Sequence, residues 1–380
     1  MEKIRVAIVH NIIPPYRDKL FRMLSRHPQI DLTVFFCSKT HKMRQWDVLD
    51  PSYRSEVLPG ITVDLGWFAN HFNPSIVGRI ARGRYDVVVL GGHTDITMQL
   101  ALLAGKLSGA PVILWTEGTV SAELGEARFL APAYRLLFSR INGFIVPGTV
   151  SKGYVIHHGG AAERVVIAPN MVDNERFSSL LPSRCRIRQE ITQELSLEGK
   201  RLILFSGRLV PYKGILDLVK AFAIVKKQVP EAALLIMGNG EQKDEVEQEV
   251  RGRGLTDVRL IGWPSQDAMP RYYIASDIFV LPTHMDVWGL AINEAMASAL
   301  PIITTDRAGA AMDMVKDGVN GSIIPPGDPN HLARAIVSML QNPELRDMGQ
   351  RSLQMVSSRF SPESAVEGFI TAILQAAEGA

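Results

Sequence analysis

The chain has 380 residues, more than one hydrophobic core of ordinary size organises, so two domains are expected. Hydrophobic residues make up 46% and charged residues 21%, with 31 Gly and 22 Pro, which excludes disordered, collagen-like and coiled-coil classes. Net charge is +2, residues 1–180 being the basic half with 20 Lys and Arg against 15 Asp and Glu, and the two cysteines, Cys37 and Cys185, exclude a disulfide framework or a cysteine zinc site.

Segment 1–9 reads as a charged start followed by a buried strand, not as a signal peptide, and no apolar run approaches the roughly 18 residues of a membrane span. A cytoplasmic protein is expected, with any membrane contact peripheral, at the inner face. Strands are predicted at 5–9, 32–37, 86–90, 112–115 and 143–146, with helices between them such as 15–25 and 98–107. Arg79, Arg82 and Arg84, with Arg128, Arg135 and Arg140 around Tyr134 and Phe138, suit an anionic lipid surface or a phosphorylated acceptor. The alternative is a set of ordinary solvated helix faces. No aromatic-interleaved basic stripe argues for nucleic acid.

A second series of strands follows at 202–206, 233–237, 258–261, 278–281, 301–304 and 322–324, with a helix at 215–227. The polar segment 178–183, which contains Pro182, is the expected linker. The predicted domains are therefore 1–180 and 181–360, with a last helix over 361–377, opened by Ser361 and Pro362, joined to the first. Both read as α/β, doubly wound parallel sheets with a cleft between them, and ligands of such sheets sit beyond the carboxyl ends of the strands.

Several motifs fall at those ends. Gly207 to Gly214 follows strand 202–206 and carries Arg208 and Lys213, two cations able to hold one diphosphate, unless they are merely solvated on a surface loop. After strand 278–281, Gly289 opens a helix whose N–H groups at Gly289, Leu290 and Ala291 suit the same anion. Glu294, inside that apolar helix, is placed to accept from ribose hydroxyls, the alternative being an internal salt bridge, and Asp286 to reach a hexose hydroxyl. Gly238 and Gly240 form a turn that lets a ligand approach the backbone, and the backbone at Gly262, before Trp263, reads a nucleobase edge or is a plain turn.

In the first half, His93 follows strand 86–90 and Glu117 follows strand 112–115. His93 is a candidate for positioning a hydroxyl, Glu117 for acid/base chemistry or hydroxyl binding, and Arg17 is expected to face the same cleft. His157 and His158 lack companions at metal-ligand spacing, so no metal is expected. No nucleophile elbow, Gly-x-Gly-x-x-Gly or Gly-Lys-Ser/Thr loop is present, which argues against triphosphate hydrolysis and dinucleotide redox chemistry.

In order, Gly207-Arg208-Leu209 with Lys213-Gly214, Gly238-Asn239-Gly240, Ser276-Asp277-Ile278-Phe279-Val280-Leu281-Pro282, Gly289-Leu290 with Glu294-Ala295-Met296-Ala297, and Asp317-Gly318-Val319-Asn320-Gly321 with Gly327-Asp328 resemble the retaining glycosyltransferases of family 4, the glycosyl transferases group 1. The likeness is close over 140–360 and loose over 1–140. It implies the GT-B fold, two Rossmann-like domains facing a central cleft, and a nucleotide-sugar donor in the C-terminal domain. Arg208 and Lys213 would hold the diphosphate, Gly289 to Ala291 would add backbone donors, and Glu294 would hold the ribose. The family's first acidic position, commonly glutamate, is Asp286 here; Glu117 stands near where many members place histidine; and His10 to Arg17 replaces the glycine-rich loop of many members.

The expected function is retaining transfer of a hexose from a nucleotide-sugar, a UDP-sugar first, to a lipid-linked or saccharide acceptor in cell-surface glycan assembly. No metal or cofactor is called for, Asp286, Glu294, Arg208 and Lys213 carrying the chemistry. The alternatives are a sugar-nucleotide epimerase on the same architecture, and a non-catalytic sugar- or nucleotide-binding protein.

Overall fold

The computed structural model describes residues 3–40, 50–64, 69–120 and 127–379; the side chains of Pro15 and of residues 127–130, including Arg128, lie outside that description. The chain divides into two compact units, Met1–Asn170 with Pro362–Ala380, and Met171–Ser361.

The first unit runs β1 (Ile4–His10), α1 (Pro15–Arg26), β2 (Ile30–Phe36), β3 (Ser55–Val57), β4 (Ile61–Asp64), β5 (Ala69–Phe72), α2 (Ser75–Gly83), β6 (Val87–Leu90), α3 (Ile96–Leu107), β7 (Val112–Trp115), α4 (Ala127–Phe138), β8 (Gly143–Val146), α5 (Thr149–His157) and β9 (Val165–Ile167). Seven strands pair in the order β3-β2-β1-β6-β7-β8-β9, all parallel, while β4 and β5 form a separate antiparallel ribbon. Val87 to Leu90 and Val112 to Trp115 are buried throughout, as strands covered by helices on both faces must be. Asp95 starts α3 by accepting the Thr97 N–H at 2.9 Å, and it also accepts the His71 N–H at 3.1 Å, which ties the ribbon to that helix.

The second unit runs α6 (Asn174–Ser178), α7 (Arg184–Glu194), β10 (Arg201–Ser206), α8 (Ile215–Gln228), β11 (Ala232–Met237), α9 (Lys243–Gly252), β12 (Val258–Gly262), α10 (Met269–Ala275), β13 (Ile278–Leu281), α11 (Leu290–Ala297), β14 (Ile302–Thr305), α12 (Ala311–Met314), β15 (Gly321–Ile324), α13 (Pro329–Leu340) and α14 (Leu345–Arg359). Its sheet is parallel in the order β12-β11-β10-β13-β14-β15. Asp277, inside the quoted motif, is structural: its carboxylate accepts Leu202 N–H at 2.7 Å and Arg188 at 2.9 Å, anchoring the start of β10.

The expected linker at 178–183 is corrected. The chain passes between units at Asn170 and Met171, and returns at Ser361 and Pro362. Asn174 donates to the carbonyls of Val356 and Phe360, and Phe177, 3% exposed, meets the Tyr273 ring edge-on at 5.5 Å, so this segment is already packed into the second unit. Burial of Phe177 contributes about 2 kcal/mol, which a free linker would forgo. Pro182 lies in a 3-10 turn, Leu181–Ser183, that leads straight into α7. The last helix, α15 (Pro362–Glu378), packs in the first unit, where Phe369 meets Trp115 edge-on at 4.8 Å.

Candidate functional site

In the second sheet the strand order reverses at β10, whose neighbours are β11 and β13, and the loops leaving β10 and β13 therefore flank the point where ligands of such sheets bind. The two loops are tied together. The Tyr212 carbonyl accepts from His284 N–H at 2.8 Å and from the Thr283 hydroxyl at 2.8 Å. Gly214 has φ +68°, and a Cβ there would lie 2.1 Å from the Pro282 carbonyl oxygen, so only glycine allows the loops to close on each other.

This closure brings together two residues that the sequence reading assigned to different parts of the donor. Lys213 Nζ donates to Asp286 Oδ2, with side chains 15% and 12% exposed. Arg208 is exposed beside them, its guanidinium 3.4 Å from the Tyr212 hydroxyl. Gly289 has φ +99° and starts α11, where the first N–H groups, at Leu290 and Ala291, have no carbonyl within the helix to meet. Cations and a helix N-terminus thus share one end of the sheet with a single carboxylate set against Lys213.

Glu294 is partly buried in α11, and its Oε2 accepts from the Tyr273 hydroxyl at 2.5 Å. Its partner is thus a phenol and not the cation of the alternative reading. Burial pushes the Glu294 carboxyl up to about 7, opposed by the Tyr273 hydrogen bond and the Arg176 charge. Tyr273 itself is raised well above its usual value, by burial and then by Glu294. Tyr273 was missed in sequence; the available signal was a tyrosine on a buried helical face, which needs an acceptor as much as a buried glutamate needs a donor.

Gly238 and Gly240 answer to the protein's own backbone. A Cβ at Gly238 would lie 1.8 Å from the Gly207 carbonyl oxygen, and one at Gly240 2.3 Å from that of Leu209. Within the chain, what approaches these glycines is the β10 loop, including Gly207. Gly262, with φ +71°, has open space around it, and Trp263 beside it is 55% exposed.

At the corresponding edge of the first sheet, Arg17, Glu117 and Asn170 form a hydrogen-bonded group. Arg17 donates to Asn170 at 2.9 Å and to Glu117, and Asn170 donates to Glu117 at 3.1 Å. The guanidinium lies 4.3 Å from the Trp115 ring. Glu117 is thus a counter-ion to a buried arginine, which the sequence reading did not anticipate because the two are 100 residues apart. His10, packed among Phe21, Phe36 and Trp115, is lowered to about 3, by burial and then by the Arg17 charge, and its Nδ1–H donates to the Ile12 carbonyl at 3.0 Å. His93 sits against Tyr134 and Phe138, with Nε2 3.3 Å from the Tyr154 hydroxyl.

Residues 187–353 match the family model of glycosyl transferases group 1. This segment, in the second unit, is what the chain has in common with the family. An alpha-D-kanosaminyltransferase of Streptomyces kanamyceticus is 26% identical over 47% of this chain and 46% of its own length. A D-inositol 3-phosphate glycosyltransferase of Geodermatophilus obscurus is 27% identical over 80% of this chain and 64% of its own. The chain thus matches about half, and less than two thirds, of the length of these curated relatives. The crystal structure of Anabaena HepE in complex with UDP superposes with a TM-score of 0.74 at 20% identity, covering 99% of each chain. The chain shares the GT-B class of fold, two Rossmann-like units, and Lys213, Asp286 and Glu294 all lie inside the matched segment.

Proposed function

We propose that the chain is a retaining glycosyltransferase that moves a hexose from a nucleotide-sugar, a UDP-sugar first, to a saccharide or lipid-linked acceptor in cell-surface glycan assembly, at the inner face of the cytoplasmic membrane. The observation that carries this reading is the convergence of Lys213, Arg208 and the α11 N-terminus at the switch point of the second sheet. In sugar transfer from a nucleotide, charge grows on the departing diphosphate and positive character on the sugar. Lys213 and Arg208 would hold the phosphates, and the Leu290 and Ala291 N–H groups would add donors without reorganisation. Asp286 releases Lys213 to the diphosphate and turns to the hexose; Glu294 accepts from the ribose. In the retaining course the acceptor attacks on the face the phosphate leaves, and that phosphate takes the acceptor proton. Support for the donor class comes from the relatives, named as glycosyltransferases, and from the UDP complex of a structure with the same fold. Metal independence is part of the proposal, the cations doing the neutralising.

The test is calorimetry against UDP-, GDP-, ADP- and CMP-linked sugars with chelator present, followed by turnover with saccharide and lipid-linked acceptors. Binding of one nucleotide class that is lost in Lys213→Ala is expected. Epimerised donor formed without acceptor would favour the epimerase, and failure to bind any nucleotide-sugar would favour a binding protein.

A further inference from the structure

A second feature of the first unit lies at the other end of its sheet. Asn142 precedes β8, and its Oδ1 accepts the Val112 N–H at 3.0 Å where β7 begins, so this is the amino edge of the strands, opposite the edge that carries Arg17, Glu117 and His93. Here α3 and α4 enclose a hollow of about 780 Å³. Leu102, Leu137 and Ile141 line it, and Leu103 and Leu136, each 55% exposed, stand at its rim, with Leu107 at the end of α3 76% exposed. Isolated exposed leucines are ordinary, but a group of them around one hollow marks a contact surface.

The same hollow is lined by Lys106, Arg140 and Arg164, and by no carboxylate among the described residues. Lys106 is fixed by donation to Asn142 Oδ1 at 2.6 Å, while Arg164 reaches the Ile141 carbonyl at 3.5 Å. Burial, and then the Arg164 charge, hold Lys106 below its usual range, as expected of two cations set close together. By contrast, Arg79, from the basic set noted in sequence, is already paired with Glu56 at 2.6 Å. The nearest carboxylate in sequence to the groove cations, Glu163, does not line the groove; it lines an adjoining hollow with Asn142, Arg164 and α15.

We propose that the groove between α3 and α4 is a docking surface for an anionic phospholipid bilayer, Leu103, Leu107 and Leu136 entering the apolar boundary and Lys106, Arg140 and Arg164 holding lipid phosphates. Charge complementarity selects this occupant: exposed leucines ringed by cations fit a surface that is apolar below and anionic above. Among the described residues no helix is long and apolar enough to cross a membrane, so attachment of this kind is interfacial. The site rests on the groove alone and needs no part of the transfer reaction, although it gives the membrane location in that reading a definite surface.

The experiment is cosedimentation of the full chain with vesicles of phosphatidylcholine alone and of phosphatidylcholine with about one-third phosphatidylglycerol. Binding to the anionic vesicles only is expected. A cation near such a surface strengthens binding about fivefold, so the triple variant Lys106→Gln, Arg140→Gln, Arg164→Gln should bind about 100-fold more weakly. The double variant Leu103→Asp, Leu136→Asp should lose binding while all three cations remain. Both variants should keep the wild-type nucleotide affinity and melting temperature, which separates failure of this surface from failure of the donor reading. Absence of binding to anionic vesicles, or binding that survives both variants, overturns the proposal. A lipid-free dimer in sedimentation velocity that the Leu136→Asp change dissociates would assign the groove to a second copy of the chain, and would also overturn it.

Discussion

Lys213 and Asp286, 73 residues apart, form an ion pair between the loops that leave β10 and β13, with both side chains more than four-fifths buried. A phosphate entering this edge meets a lysine that is already held, and must take it from Asp286. Under the proposed donor reading the pair sets two quantities at once, the stability of the empty loops and the affinity for a diphosphate.

These effects separate by mutation. Lys213→Ala should weaken UDP binding by about 1–3 kcal/mol, the range of a charge-assisted contact, and lower the melting temperature because Asp286 is left without its partner. Asp286→Asn should strengthen binding of UDP alone, since Lys213 is freed, while lowering turnover with a UDP-sugar. In the double variant the thermal loss should be largely recovered and the affinity should remain that of Lys213→Ala. Calorimetry and thermal unfolding of the four proteins check this, and weaker UDP binding in Asp286→Asn would contradict the competition.

Glu294 gives a pH prediction. Its carboxyl stands at about 7 in the folded chain against 4.5 ordinarily, so between those values the native state keeps a proton that the unfolded chain has released. Its contribution to stability is full below about 4.5 and is lost as pH rises through 7, on the order of 3 kcal/mol. In the proposed donor reading ribose hydroxyls donate to the ionised form, so UDP affinity should move the other way and rise from about pH 6 to 8. Glu294→Gln should flatten both profiles. Tyr273→Phe should raise the midpoint of the binding profile, because the hydroxyl that favours the carboxylate is gone.

Glu117 is the counter-ion of Arg17, whose side chain is only 10% exposed. Glu117→Ala should cost about 3 kcal/mol, leaving a buried guanidinium with Asn170 and the Trp115 and Tyr16 rings but no counter-ion. Arg17→Met with Glu117→Leu removes both charges and should recover much of that loss. An acid/base role would give a different result: Glu117→Ala would abolish turnover at unchanged melting temperature. Paired unfolding and turnover measurements decide between the two.

The fold was readable because each core strand is a short apolar run. Residues 112–115, 143–146 and 278–281 are strands with the predicted ends, and they are buried on both faces. The short strands β3, β4 and β5 were missed, since three or four residues with exposed positions carry little hydrophobic pattern. The site was legible as a set of residues following strands, and less so as a set of pairs. The sequence placed Lys213 and Asp286 on loops after two different strands but gave no sign that one would neutralise the other; the pairing of β10 with β13 brings them together. Arg17 and Glu117 became partners only because β1 and β7 flank β6 in the sheet. The linker was misplaced for a related reason: Phe177 sits in a polar stretch, and only its contact with Tyr273 shows it to be core.

Gly238 tests how far the donor edge depends on backbone packing. Its φ of +153° is one that side chains rarely adopt, and a Cβ would lie 1.8 Å from the Gly207 carbonyl, with the Leu209 N–H to Asn239 carbonyl bond of 2.9 Å close by. Because the obstacle is backbone, no rotamer relieves it, and the β10 and β11 loops must part. Gly238→Ala should destabilise the chain by about 2–4 kcal/mol and displace Arg208 enough to weaken UDP binding. Gly254→Ala is the control, for its φ of +64° carries strain but open space surrounds it. It should cost about 1 kcal/mol with unchanged UDP affinity. If the two variants bound UDP equally well, the close approach of Gly238 to Gly207 would have no part in shaping the donor edge.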